Sequence, residues 1–199
     1  VSRLLLWRHG ETSWNSELRF QGQTDVELNE TGVAQAAEAA PRLAAREPKL
    51  IISSDLLRAS RTAQALVDLT GLPLRLDPRL RERHFGPWQG LTAGEIEERY
   101  PDDYRRWGAA APISNPAIEA IEALTERVVA ALTEASEEAG AGGTAVVVTH
   151  GGAARAGVGG MLGWPHELWS RLGVLGNCRV SELRWRTDRG WQLETHNAA

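Results

Sequence analysis

Three apolar runs punctuate the chain without a polar alternation: Leu4-Leu5-Leu6-Trp7, Leu50-Ile51-Ile52 and Val146-Val147-Val148. Continuous short runs of this kind fit strands buried on both faces. They predict strands over Arg3–Trp7, Leu50–Ser53 and Thr144–Thr149, the last following the Gly140–Gly143 turn. Near the end of the chain, Arg179–Trp185 and Trp191–Thr195 read as a hairpin around Asp188-Arg189-Gly190. Between the runs the apolar spacing becomes helical. Asn29 or Thr31 can cap a helix reaching about Arg46, with an irregularity at Pro41, and Asp55 can cap another over Ala59–Leu69. Ile118, Ile121, Leu124, Val128 and Leu132 form an apolar stripe on a long helix that ends near Gly140.

Strands alternating with helices predict an α/β fold: a three-layer α/β/α arrangement around a doubly wound, mostly parallel sheet. No repeat, low-complexity tract or linker divides the chain, so residues 1–199 read as a single domain. The stretch Arg79–Asn115, rich in Pro and Trp, reads as an irregular, lid-like insertion facing the substrate.

Composition narrows the chemistry. The net charge of −4 offers no general attraction to nucleic acid or to an anionic membrane. Leu4–Trp7 is too short for a signal-peptide core or a membrane span, and a cytoplasmic protein is expected. Cys178 is the only cysteine, which rules out an intrachain disulfide and a Cys-rich zinc site. Lys49 is the only lysine among 22 basic residues and sits in a connector. Schiff-base chemistry and a lysine-dependent nucleotide phosphate loop therefore have no other candidate. Anion binding falls to arginine, histidine and backbone amides.

Two strand ends share one pattern. The first run leads into Arg8-His9-Gly10-Glu11-Thr12, and the third, through Thr149, into His150-Gly151-Gly152. Ligands bind at this edge of an open parallel sheet. One His-Gly after a strand is a common turn. Two, with an arginine before the first, form a set. The second run leads through Ser54-Asp55 to Arg58 near the start of a helix, so two histidines and two arginines converge. Bidentate guanidinium contacts and helix-terminal N–H groups suit a phosphate.

These residues resemble the signature of the histidine phosphatase superfamily, also called phosphoglycerate-mutase-like. Arg8-His9-Gly10-Glu11-Thr12 with Trp14-Asn15 carries the likeness, with Gln21-Gly22, Asp25, Leu28 and Gly32 after it. Ser53-Ser54-Asp55-Leu56 with Arg58, Arg61 and Thr62 continues it, as do Leu80-Arg81-Glu82, Gly86, Trp88-Gln89-Gly90-Leu91 and His150-Gly151-Gly152. The wording around Gln21, Ser54 and Glu82 is most similar to glucosyl-3-phosphoglycerate phosphatases. The resemblance implies the superfamily's fold and hydrolysis of a small phosphorylated metabolite with no metal or cofactor. It implies His9 as the nucleophile that becomes phosphohistidine and Glu82 as general acid and base. Arg8, Arg58 and His150 would balance phosphoryl charge, with Asn15, Gln21, Gly22 and Gly151 completing the substrate contacts. It also makes a homodimer the expected assembly. Where many relatives carry Gly-Gly-Glu-Ser before the long helix, this chain has Pro116-Ala117-Ile118-Glu119-Ala120.

Other readings are weighed against this one. Glu82 lies among arginines, as a solvated salt-bridge residue would, and Glu11 reads as structural. His84 reads as an exposed loop histidine or a site residue, His166 and His196 as surface residues, and Trp14 and Trp88 as pocket walls. Cys178 and Arg184 have the spacing of cysteine-dependent phosphatases, but no glycine lies between them to cradle phosphate. The rival functions are a broad-specificity phosphomonoesterase, a phosphoglycerate mutase and a non-catalytic phospholigand-binding protein.

Overall fold

The apolar runs become the middle of one six-stranded sheet in the computed structural model, which describes residues 2–199. Its strands are β1 (Arg3–Arg8), β2 (Leu50–Ser53), β3 (Leu74–Leu76), β4 (Thr144–Thr149), β5 (Val180–Arg186) and β6 (Gly190–Ala198). They lie in the order β3-β2-β4-β1-β5-β6. The β3–β2, β2–β4 and β4–β1 pairings are parallel, and β5 and β6 add an antiparallel hairpin at one edge.

Alternation along each strand divides the apolar runs between two cores. Leu4, Leu6, Ile52 and Val147 face α6 (Ile121–Ala139) and α7 (Gly151–Met161). Leu5, Trp7, Ile51, Val146 and Val148 face α2 (Glu30–Ala44) and α3 (Leu57–Thr70). The result is the three-layer α/β/α arrangement, with a mixed rather than wholly parallel sheet.

Several local expectations are corrected. Asn29, not Thr31, caps α2 by accepting the Gly32 N–H at 2.8 Å, and the helix runs through Pro41, which faces solvent. Asp55 does not cap α3, whose first N–H, that of Leu57, is accepted at 2.7 Å by the Asp25 carboxylate from a distant loop. The Asp55 carboxylate instead grips the Arg81 guanidinium, a partner that lies far away in sequence. Ile118 precedes α6 and packs with Trp88 and Ile96 in a third, smaller core. The short, half-exposed β3 was not foreseen because Leu74-Arg75-Leu76 lacks an apolar run.

The stretch from residue 79 to 115 is less irregular than its composition suggests. It holds two 3-10 turns, Pro78–Leu80 and Gly86–Trp88, and two helices, α4 (Ala93–Arg99) and α5 (Pro101–Gly108). Phe20, Phe85, Trp88, Tyr104 and Trp107 pack edge-to-face or stacked around its core, with ring centroids 5.2–6.4 Å apart.

Candidate active site

Register brings the strand ends level. Arg8 of β1 stands opposite Thr149 of β4, and Ser53 of β2 opposite Val148. The next residues, His9, His150 and Ser54, therefore leave the sheet side by side. The His9 and His150 rings lie 5.1 Å apart, tilted by 57°. A cavity of about 1040 Å³ opens over this edge, lined by Arg8, His9, Asn15, Gln21, Gly22, Arg58, Glu82 and Gly151 among others.

His9 is oriented through its Nδ1, which sits 2.7 Å from the Gly10 carbonyl oxygen. A carbonyl only accepts, so Nδ1 carries the proton and the Nε2 lone pair is available. Burial first, then the charges of Arg58 and Arg8, hold the imidazole pKa well below its ordinary value. The ring stays neutral at pH 7. Its backbone is pinned from below, where the Asn177 side-chain amide donates to the His9 carbonyl at 3.0 Å.

Arg58 is fully buried and spread between fixed acceptors. Its Nη1 donates to the Thr24 carbonyl, its Nη2 to the Gly22 carbonyl and its Nε to His150 Nδ1, at 2.8, 2.7 and 3.2 Å. Gly22 turns its carbonyl inward through a positive φ of 52°, a conformation that favours glycine. His150 Nδ1 accepts from a guanidinium, so its proton is on Nε2, 2.9 Å from Ser54 Oγ. His150 thus sits behind Arg58 and His9, buried, rather than on the cavity wall. Burial pushes the Arg58 pKa down to about 10 and lowers that of Arg8 as well. Among the described residues neither arginine lies in ion-pair contact with a carboxylate. Arg8 Nη1 donates to the Leu175 carbonyl at 2.7 Å, while its buried Nε has no partner among the described residues.

Glu82 closes the opposite side. Its carboxylate accepts N–H groups from Arg83, Gly152 and Ala153 at 2.8–2.9 Å, the last two from the first turn of α7. The N–H of Gly151, the remaining member of that turn, has no acceptor among the described residues and lies beside Arg8. Asn15 Oδ1 is engaged by Thr12 and Asn177, which leaves its amide NH₂ toward the cavity. Gln21 is buried on the same wall, its Oε1 without a partner among the described residues. The site therefore combines one basic nitrogen, two cations outside ion-pair contact and N–H donors free among the described residues around a carboxylate.

The histidine phosphatase superfamily (branch 1) profile matches residues 4–199. The chain belongs to this superfamily. It is 38% identical over 215 residues to glucosyl-3-phosphoglycerate phosphatase of Mycolicibacterium vanbaalenii, covering all of this chain and 96% of that protein. It is 36% identical over 202 residues to the probable phosphoglycerate mutase GpmB of Yersinia pestis, covering 97% and 91%. A mycobacterial glucosyl-3-phosphoglycerate phosphatase solved with VO3 superposes with a TM-score of 0.90 at 37% identity, covering both chains fully. The superfamily fold inferred from the signature residues is thus the fold of the chain.

Some sequence readings are corrected at the site. Trp14 and Trp88 do not form its walls; Trp107 and Trp169 do, because Trp88 is consumed by the aromatic core of the insertion. His84 is the exposed loop histidine of its first reading, bonded to Ala117, whereas His166, read as a surface residue, lines the cavity. His196 is held by Ser181 and the Gly173 carbonyl. Glu11 keeps the structural role read from the sequence, accepting from Asn29 at the cap of α2.

Sequence reasoning missed Arg127. It lies on α6 and donates to the carbonyls of Arg79, Arg81 and Glu82 while paired with Glu119. Only its place on the partly buried side of a helix could have drawn attention to it.

Proposed function

We propose that the chain is a metal-independent phosphomonoester hydrolase that works through a phosphohistidine on His9. The observation that carries this is the His9 tautomer: Nδ1 is spent on the Gly10 carbonyl beside the partly buried Arg8 and the fully buried Arg58, neither in ion-pair contact with a carboxylate among the described residues. An entering phosphoryl group would meet the Nε2 lone pair while Arg8, Arg58, the Gly151 N–H and the Asn15 amide receive its oxygens. His150 would act from behind by polarising Arg58. Glu82 would protonate the leaving alkoxide and then take a proton from the water that cleaves the phosphohistidine. Phosphoryl transfer is mainly positioning and electrostatics, which this constellation supplies.

The substrate is a phosphorylated small acid, glucosyl-3-phosphoglycerate or a close relative. The likeness to glucosyl-3-phosphoglycerate phosphatases supports this, as does a cavity larger than a three-carbon acid with a free Gln21 acceptor for a hydroxyl. The segment 79–115 acts as the lid of a single domain, and the enzyme is cytoplasmic and a homodimer.

The test is phosphate release from glucosyl-3-phosphoglycerate in excess EDTA, with 3-phosphoglycerate alongside. Preferred release from the glucosylated compound supports the reading. Label trapped on wild-type protein but not on His9→Ala locates the intermediate, whereas turnover without any dependence on His9 would overturn it.

A further inference from the structure

The cavity wall beyond the phosphoryl end carries a guanidinium that the phosphate chemistry does not use. Arg155 lies on α7 four residues after Gly151, so the two residues share one face of the helix, and both line the cavity. Helical side chains lean toward the N-terminus, which directs Arg155 back toward the Gly151 N–H. The other arginines of the cavity have set partners. Arg8 holds the Leu175 carbonyl, Arg58 the Gly22 and Thr24 carbonyls, Arg83 the Glu119 carbonyl, and Arg19 the Glu17 carboxylate. Arg155 has no hydrogen bond and no ion pair among the described residues, and it is only partly exposed.

The same face continues with Gly159, four residues further. A Cβ there would lie 2.3 Å from the Trp169 indole, so that ring is laid against the helix, and it too lines the cavity. Along one stripe the wall therefore offers an N–H for a phosphoryl oxygen, then a cation, then an aromatic face. Each step of four residues rises about 6 Å along the helix, a distance that a phosphorylated three-carbon acid spans between its phosphoryl and carboxylate ends.

We infer that Arg155 binds the carboxylate of a phosphorylated hydroxy acid and so selects acidic over neutral phosphomonoesters. The inference rests on the phosphatase reading of the anion end and adds the group that recognises the second charge. A guanidinium suits a carboxylate because it presents paired donors in a plane.

Calorimetric titration of the His9→Ala protein with 3-phosphoglycerate, glycerol 3-phosphate and inorganic phosphate tests it. The acid should bind more tightly than glycerol 3-phosphate. Adding Arg155→Gln, which removes the charge but keeps two of the three methylenes, should weaken the acid by about 10-fold or more and leave the other two unchanged. Arg155→Lys should recover part of the loss. Equal losses for all three compounds, no loss for the acid, or no preference before the substitution would each overturn the inference. Phosphate release by the protein with His9 intact separates the two readings. Selective loss of acid binding without any turnover would support Arg155 while sinking the hydrolase assignment.

Discussion

Glu82 Oε2 accepts the Gly152 N–H at 2.8 Å, and a methyl group at Gly152 would lie 2.6 Å from Glu82 Oε1. The carboxylate assigned the proton transfers is thus fitted into the first turn of the helix that presents Gly151. Gly152→Ala should push Glu82 aside without disturbing the core, since the clash is with the end of a flexible side chain. A displacement of this kind costs on the order of 100-fold in kcat/KM. In a Glu82→Gln background the same change should cost little more, and steady-state kinetics on the double-mutant cycle checks it.

Arg127 ties the Arg79, Arg81 and Glu82 carbonyls to α6 from outside the cavity. Arg127→Met should strand these acceptors and lower stability by about 1–3 kcal/mol. It should also lower kcat more than it raises KM, because it loosens the segment that carries Glu82 and not the phosphate clamp. Urea unfolding and initial rates measure the two effects. An unchanged kcat would show that the bonds only stabilise the fold.

Burial, reinforced by Arg58 and Arg8 at His9 and by Arg58, His9 and Arg8 at His150, depresses both histidine pKa values in the folded protein. The unfolded chain then binds more protons as pH falls below about 6.5, the ordinary histidine value. Stability should be level above that pH and decline below it, by at most about 1.4 kcal/mol per pH unit for each histidine. Denaturation midpoints from pH 8 to 5 should show this slope, and His150→Asn should reduce it. A flat profile would contradict the depressed values.

Arg8, partly buried, and Arg58, fully buried, keep their charge without a carboxylate in ion-pair contact among the described residues. An anion that binds only the folded state should therefore stabilise the protein clearly. Inorganic phosphate at 100 times its Kd should add about 2.7 kcal/mol. Thermal shifts read this, and Arg8→Ala should remove most of the increment at the same phosphate concentration.

Cys178 lies in the core behind the site, donating its backbone N–H toward the Arg8 and His9 carbonyls, and burial pushes its thiol up to about 12. A thiol held protonated makes a poor nucleophile. Cys178→Ala should keep kcat within about 3-fold, and thiol reagents should leave the native enzyme active. Loss of turnover with an unchanged fold by circular dichroism would reopen the cysteine chemistry that its spacing to Arg184 suggests.

Much of the fold could be read from the chain because its strands are continuous apolar runs. Leu50–Ser53 and Thr144–Thr149 have the bounds their composition predicts, and Arg3–Trp7 extends by one residue. Elements that depend on distant partners were harder to read. Asp55 resembles a cap locally, yet Arg81 offers it a charged partner that a backbone N–H does not match. Trp88 resembles a pocket wall until Phe20, Phe85 and Ile118 enclose it.

What the sequence determined by itself is the chemistry available: two histidines and two arginines at strand ends, one lysine, one cysteine, and a signature that names the superfamily. These are properties of residue type and local spacing, which need no long-range contact to be recognised. The tertiary structure decided which atoms are free to act. Strand register set His9 beside His150, and the Gly10 carbonyl selected the tautomer of His9. Arg58 was committed to Gly22, Thr24 and His150, while the Arg155 guanidinium was left without a partner among the described residues. Burial and hydrogen-bond geometry are relations between distant parts of the chain, so only their assembly could assign them.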